Sequence, residues 1–312
     1  MARNKSVSAC NSPVPRAVLV LWLPRRTTFE RLPAMRIAWE AGSRFASQRQ
    51  PRFPAAACYV PSPEMTGNGS VLELRGLSKT YGRFEAVSTL DLDVPGGEIY
   101  ALLGPNGAGK TTTIRMLMGI LQPTAGTARI LGLDCFEARA EVMRHVAYLP
   151  DEPVFYDYLR GSEILRFVGE MRGFEAAEVE RRTRPLIERL ELSDAMEEYA
   201  VNYSKGMKKK LAAVCALLHD ATVLVLDEPT NGLDPFATRT LLAIVREKAA
   251  QGCSVFFSTH LLDQAEKLCH RVGILYKGRL AAQGRIEDLR QNLAPGGSLE
   301  QIFFSVTEEG AA

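Results

Sequence analysis

Residues 99–112, Ile99-Tyr-Ala-Leu-Leu-Gly-Pro-Asn-Gly-Ala-Gly-Lys-Thr-Thr112, decide how this chain folds. The apolar run Ile99 to Leu103 reads as a buried strand, and it passes straight into a loop that fits G-x-x-x-x-G-K-[ST] from Gly104 to Thr111. Glycines at 104, 107 and 109 keep side chains away from a polyphosphate, so successive backbone N–H groups can turn inward and hold an anion. The helix expected from Lys110 to Ile120 adds the positive end of its dipole. Lys110 supplies a full charge for β and γ phosphates, and the Thr111 hydroxyl suits Mg²⁺. An ordinary glycine-rich turn would not need the Lys-Thr pair at the helix start.

A second chemical edge lies more than a hundred residues on. Val223-Leu-Val-Leu226 is continuously apolar, as a strand covered on both faces should be, and it ends in Asp227-Glu228. Open α/β sheets bind ligands at the carboxyl ends of such strands. Asp227 is placed to hold Mg²⁺ through its water shell, and Glu228 to accept a proton from an attacking water.

Working outward from these two edges, the chain alternates short apolar strands with helical stretches, the pattern of an α/β domain with a largely parallel sheet. Strands are expected at Ile99 to Leu103, Val146 to Leu149, Val223 to Leu226, Val255 to Ser258 and Val272 to Tyr276. Helices are expected from Lys205 to Leu218 and Pro235 to Ala250 besides the one at Lys110. Between about Tyr156 and Tyr203 the strands stop, and amphipathic segments around Glu163 to Met171 and Glu178 to Leu190 imply a helical insertion. No internal repeat is visible.

The net charge of +2 conceals an asymmetry, since residues 1–64 carry +7 and the remainder −5. A mildly acidic main part argues against electrostatic attraction to nucleic acid. The first 64 residues hold eight of the 17 prolines, are rich in Arg, Ser and Ala, and lack useful periodicity. They read as a disordered extension. Met65 opens a polar start that leads into an alternating strand through Val71, Leu72 and Leu74, so Met65 is expected to be the true initiator of a domain running from 65 to 312. A cleaved Arg-rich, acid-poor targeting peptide is the alternative, and the intact mass of the native product separates the two. The run Ala17 to Leu23 is far shorter than a membrane span of roughly 20 residues. Six cysteines show no CxxC pair and no His partner at metal-ligand spacing, which reads as reduced cytosolic thiols, with Cys215 and Cys269 as small buried hydrophobes on helices.

The order of four segments carries a family resemblance from about Val71 to the C-terminus. GPNGAGKTT is followed by YSKGMKKKL (Tyr203 to Leu211), LVLDEPTNGLDP (Leu224 to Pro235) and STH (Ser258 to His260), and in this order they resemble an ATP-binding-cassette (ABC) ATPase. Many proteins share the first and third segments, whereas a signature segment about twenty residues before the acidic strand end is peculiar to ABC proteins. The fold implied is a P-loop NTPase core with a mainly parallel sheet, an N-terminal antiparallel β subdomain and a helical insertion at about 156–203, followed by a tail at about 284–312.

The resemblance also implies site roles. Gly104, Pro105, Asn106, Gly107, Ala108, Gly109, Lys110, Thr111 and Thr112 contact ATP, Tyr81 in KTYG stacks on adenine, and Asp151 contacts both nucleotide and Mg²⁺. Glu228 and His260 are the catalytic pair. Ser204, Lys205, Gly206, Met207 and Asp234 act on the nucleotide of a second subunit, because two cassettes pair head to tail. His145, His219 and His270 match no functional position.

Two departures from the family pattern stand out. The usual LSGGQ is Tyr203-Ser-Lys-Gly-Met207 here, and the glutamine usual after YLP is Asp151, an acceptor that cannot donate an amide proton. Both departures, with the ending Gly297 to Phe303, are similar to ATPase subunits of bacterial exporters whose permease is a separate chain. Expected partners are therefore an integral membrane permease and a second ATPase subunit, with ATP and Mg²⁺ as ligands and a location on the cytoplasmic face of the cell membrane. A soluble cassette protein of translation or DNA maintenance would be expected to bring two cassettes, long coiled-coil inserts or zinc modules. A non-hydrolysing nucleotide sensor would lack Glu228.

Overall fold

A computed structural model describes residues 69–293 and 297–309. The expectations for residues 1–64 and for a start at Met65 lie outside the described residues. Strands β1 (Ser70–Tyr81) and β2 (Phe84–Pro95) form a hairpin, and β1 pairs on its other side with β4 (Ala125–Ile130), which pairs with the short β5 (Leu133–Asp134). All three pairings are antiparallel. This is the expected N-terminal antiparallel subdomain.

The second sheet has six strands in the order β10-β9-β3-β8-β7-β6. Its strands are β3 (Ile99–Leu103), β6 (Val146–Leu149), β7 (Val223–Asp227), β8 (Ser254–Thr259), β9 (Arg271–Tyr276) and β10 (Arg279–Arg285). Every pairing from β9 to β6 is parallel, and β10 closes one edge as an antiparallel strand. Both faces are covered, which is why β3 and β7 are apolar without alternation. On β3, Tyr100 and Leu102 join a core with Leu72, Leu74, Ile114 and Val142, while Ile99, Ala101 and Leu103 join another with Val214, Ile244 and Val255. Tyr100 stacks on its register partner Phe256 at 5.7 Å, locking β3 to β8.

Helix α1 (Lys110–Leu117) is shorter than its sequence suggests, because Gly119 takes a left-handed φ of 60° and Ile120 donates back to the Arg115 carbonyl. A side chain at 119 would also strike the Cys135 carbonyl. After α2 (Arg139–His145) and β6, the strands stop as expected. Helices α3 (Gly161–Met171) and α4 (Ala176–Arg189), with two short 3₁₀ turns, fill the insertion before α5 (Lys205–Leu217). Helix α6 (Pro235–Ala250) starts and stops where expected.

The short helix α7 (Leu262–Leu268) ends one residue before Cys269, so that cysteine sits in extended backbone past the helix rather than on it. Cys215 is buried on α5, and burial pushes its thiol up to about 12. In the tail, α8 (Ile286–Leu293) and α9 (Leu299–Glu309) bury Ile286, Leu289, Leu299 and Ile302 in the main core. No helix among the described residues is long and apolar enough to cross a membrane.

Candidate active site

The strand order places the chemistry. Strands β3, β8, β7 and β6 are consecutive neighbours running the same way, with Leu103 beside Thr259, Ser258 beside Asp227, and Leu226 beside Leu149. Their C-terminal ends therefore deliver Gly104, His260, Glu228 and Asp151 to one edge of the sheet, although these residues are scattered over more than 150 positions.

The loop after β3 is held by its own polar groups. Ala108 N–H donates to the Pro105 carbonyl at 3.2 Å, and Thr113 N–H returns to the Gly109 carbonyl at 2.9 Å. Gly109 lies at φ 108°, and a Cβ there would sit 2.6 Å from the Ala86 carbonyl, so the start of β2 clamps the loop from outside. Glycine is thus required at 109 by packing and backbone angle, in addition to the access it gives a phosphate.

Lys110 Nζ donates to the carbonyls of Gly104 at 2.8 Å and Pro105 at 3.3 Å, and pairs with Glu228 Oε1 at 3.2 Å. Glu228 Oε2 lies 3.0 Å from His260 Nδ1, so this carboxylate is held between a lysine and an imidazole. Its backbone is left-handed at φ 44°, a conformation that costs a non-glycine residue roughly 1–3 kcal/mol. Ser258 holds it there, since Glu228 N–H points at both the carbonyl (3.2 Å) and the hydroxyl (3.1 Å) of that residue.

Asp227 Oδ1 accepts from Ser258 Oγ at 2.6 Å and from Thr111 Oγ1 at 3.3 Å. Burial pushes its carboxyl above the usual range, and the hydroxyl contacts only partly oppose this. A buried carboxylate beside a threonine hydroxyl is an oxygen pair of the kind hard divalent cations take with waters and phosphate oxygens. Among the described residues no group of three or more His, Cys, Asp or Glu would hold a metal on protein ligands alone.

Asp151 joins the same edge. Its Oδ1 accepts from Asn231 Nδ2 at 2.9 Å and lies 3.6 Å from Lys209 Nζ. Lys209 reads from the sequence as one of three consecutive lysines adding charge along a helix. The structure corrects this, because its side chain is completely buried. Ser258, Asn231 and Lys209 are the contributors that sequence reasoning did not single out.

The remaining site residues lie elsewhere. Ser204 caps α5 by accepting from Met207 N–H at 3.2 Å, the Lys205 side chain lies over Gly232, and a Cβ at Gly206 would meet the Gly232 carbonyl. Asp234 caps α6 by accepting from Ala237 N–H at 2.8 Å, which holds its carboxyl below the usual range. Among the described residues no hydrogen bond or ion pair joins residues 204–207 to the loop at 104–112. Tyr81, at the exposed tip of the β1–β2 hairpin, has Lys79 Nζ 5.4 Å from its ring centre. His219 and His270 are structural, bonding the Val146 carbonyl and the Ile99 N–H.

A family model described as "ABC transporter" matches residues 87–231. A relative from Escherichia coli K12, "Probable multidrug ABC transporter ATP-binding protein YbhF", is 34% identical over 250 residues, 79% of this chain and 43% of that protein's length. The chain thus spans less than half of that relative. "Daunorubicin/doxorubicin resistance ATP-binding protein DrrA" from Streptomyces peucetius is 37% identical over 222 residues, 71% of this chain and 67% of that one. A solved structure titled "Structure of ATP binding subunit of ABC transporter" superposes with a TM-score of 0.72 at 36% identity, covering 76% of this chain and 100% of the other.

Proposed function

The chain belongs to the ABC transporter family of ATP-binding proteins, and from that premise we propose that it binds and hydrolyses ATP to drive a separate membrane permease. The observation that carries this reading is the Glu228 carboxylate, fixed between Lys110 and His260 and directly beside Asp227. A γ-phosphate in the loop competes with Glu228 for the Lys110 ammonium. Glu228 so released accepts a proton from the attacking water, with His260 holding the carboxylate in orientation. Thr111, Asp227 and Asp151 would hold Mg²⁺, which when bound neutralises phosphate charge.

Closure comes from a second ATPase subunit, whose Ser204, Lys205, Gly206, Met207 and Asp234 cap the nucleotide from across a head-to-tail interface. Tyr81 offers its exposed ring to adenine. The permease holds the subunit at the cytoplasmic face of the membrane. Exposed large hydrophobics on the insertion support this docking, with Tyr156 edge-on against Phe167 and Tyr158, Met171, Tyr199 and Val201 also exposed. The resistance and multidrug names of the relatives favour export as the direction.

Wild type and Glu228→Gln, compared for phosphate release, ATP affinity and ATP-dependent dimerisation, test the reading. Phosphate release is expected to fall by two orders of magnitude or more, as removal of a general base requires. ATP affinity should not weaken, since Glu228 competes with the nucleotide for Lys110 rather than holding it. Equal turnover in the two proteins removes Glu228 from this role.

A further inference from the structure

Among the described residues Lys209 is the one charged side chain in the group of largest fully buried ones, yet it lies between two exposed or half-exposed features, the Ser204 end of α5 and the Asp151 loop. Its ammonium donates to the carbonyls of Asp151 at 2.8 Å, Pro150 at 3.0 Å and Asp227 at 3.3 Å. All three donors of the group are thereby used on the ends of two neighbouring strands, β6 and β7. The same nitrogen faces the Asp151 carboxylate, whose Oδ1 also accepts from Asn231 in the segment after Glu228.

Burying an ammonium costs several kcal/mol, and the cost is offset only by near-complete hydrogen bonding and a countercharge. A neutral side chain of the same length could fill this space without that cost. A cation in this place suits the acidic residue at 151, since Lys209 is the side chain paired with the Asp151 carboxylate among the described ion pairs.

We propose that Lys209 is a positioning residue, with Asp151 as its charge partner, through which the signature helix α5 and the Asp151–Asp227 side of the hydrolytic edge move as one body. This rests on the reading of the edge as an ATPase site. Motion of the Ser204 end of α5 on meeting a nucleotide is then transmitted through one nitrogen to the carbonyls of Asp151 and Asp227, and through Asp151 Oδ1 to Asn231.

The test uses Lys209→Met, Lys209→Gln, Asp151→Asn and the double variant Lys209→Met/Asp151→Asn, each measured for thermal midpoint, kcat and KM for ATP. Lys209→Met is expected to lower kcat by tenfold or more per folded molecule with KM within about threefold. The double variant should lose less kcat than the product of the two single losses, since Lys209 and Asp151 then act through one shared contact. A kcat unchanged per folded molecule, or a double variant whose loss is the product of the single losses, overturns the proposal. Should Lys209→Met fail to fold, Lys209→Gln, which keeps an amide donor, takes its place in the cycle with Asp151→Asn.

Hydrogen exchange supplies a readout apart from turnover. With ATP and no added Mg²⁺, so that Asp151 meets no cation directly, protection in wild type should change at residues 150–152 and 204–208 together, and in the Lys209 variant only at 204–208. Linked changes in both proteins overturn the proposal. A wild type that binds ATP without releasing phosphate defeats the ATPase reading, while the exchange result still decides this one.

Discussion

The nucleotide edge and the helical insertion invert each other's use of polarity. At the edge, Lys110, Lys209, Asp227 and Glu228 are buried and every one has fixed partners within 3.3 Å. On the insertion the charges lie outside in pairs such as Arg181 with Glu178, or Arg189 with Glu247 of α6, while Tyr156, Tyr158, Phe167 and Met171 are left exposed. Buried polarity fixes geometry because misplacing it is costly in a low dielectric. Surface pairs of the second kind contribute little, and exposed aromatics contribute nothing until something covers them. The difference separates a part built for chemistry from a part built for contact.

The comparison breaks first at Lys110. If the edge is a phosphate cradle, Lys110→Ala removes the only side-chain cation that reaches both the loop carbonyls and Glu228 among the described contacts. ATP affinity by equilibrium titration should fall by a hundredfold or more, because a charge-assisted contact in a buried site is lost and Glu228 stays unneutralised. Unaltered affinity would mean that the backbone loop alone binds, and the edge would no longer differ from an ordinary glycine turn.

A smaller effect is expected at the opposite end of the sheet, where buried polarity serves stability alone. His219 contacts the Val146 carbonyl at the start of β6, and burial with the nearby Arg172 pulls its imidazole down to about 3. In the unfolded chain it titrates near 6.5. The unfolded state therefore binds a proton that the folded state refuses. Stability from this residue is full above about pH 6.5 and is lost as pH falls toward 3, with a limiting slope of about 1.4 kcal/mol per pH unit. Denaturant titrations across this window should show the slope in wild type and its loss in His219→Gln. An unchanged slope would place the acid sensitivity on other groups.

How much of this was legible follows the same division. The strands at Ile99, Val146 and Val223 begin at the expected residues because each is a short apolar run with a turn at its end. The loop and acidic pair were legible because their chemistry is local in sequence, so Gly104 to Thr111 and Asp227-Glu228 could be read without knowing the sheet. Ser258 and Asn231 act across strands, and nothing local marks them. Lys209 was hidden for another reason. From Leu211 onward α5 is buried all round, so helical periodicity cannot say which of Lys208, Lys209 and Lys210 turns inward. The end of α1 was misjudged because Gly119 stops it through packing against Cys135, a contact made only by the fold. For Tyr158 and its neighbours the sequence gives only a place within the insertion, since exposure of an aromatic is a tertiary property.

Tyr158 gives the finest test of the contrast. It is 85% exposed, just before α3, on a loop tied down by Leu159 N–H to the Tyr156 carbonyl and Val201 N–H to the Asp157 carbonyl. Its side chain therefore supports little of the fold, and Tyr158→Ser should leave the thermal midpoint and ATP affinity of the isolated subunit unchanged within error. Docked on a permease, the same ring would be buried, and burying an aromatic at an interface is worth on the order of 1–3 kcal/mol. Permease-stimulated phosphate release in membranes should then drop by roughly 5- to 150-fold at limiting subunit concentration and recover as the subunit is raised in excess. A variant that stimulates normally at limiting concentration would show that contact lies elsewhere on the insertion. A loss of basal turnover would instead make Tyr158 part of the chemistry, and the division between the two regions would fail there.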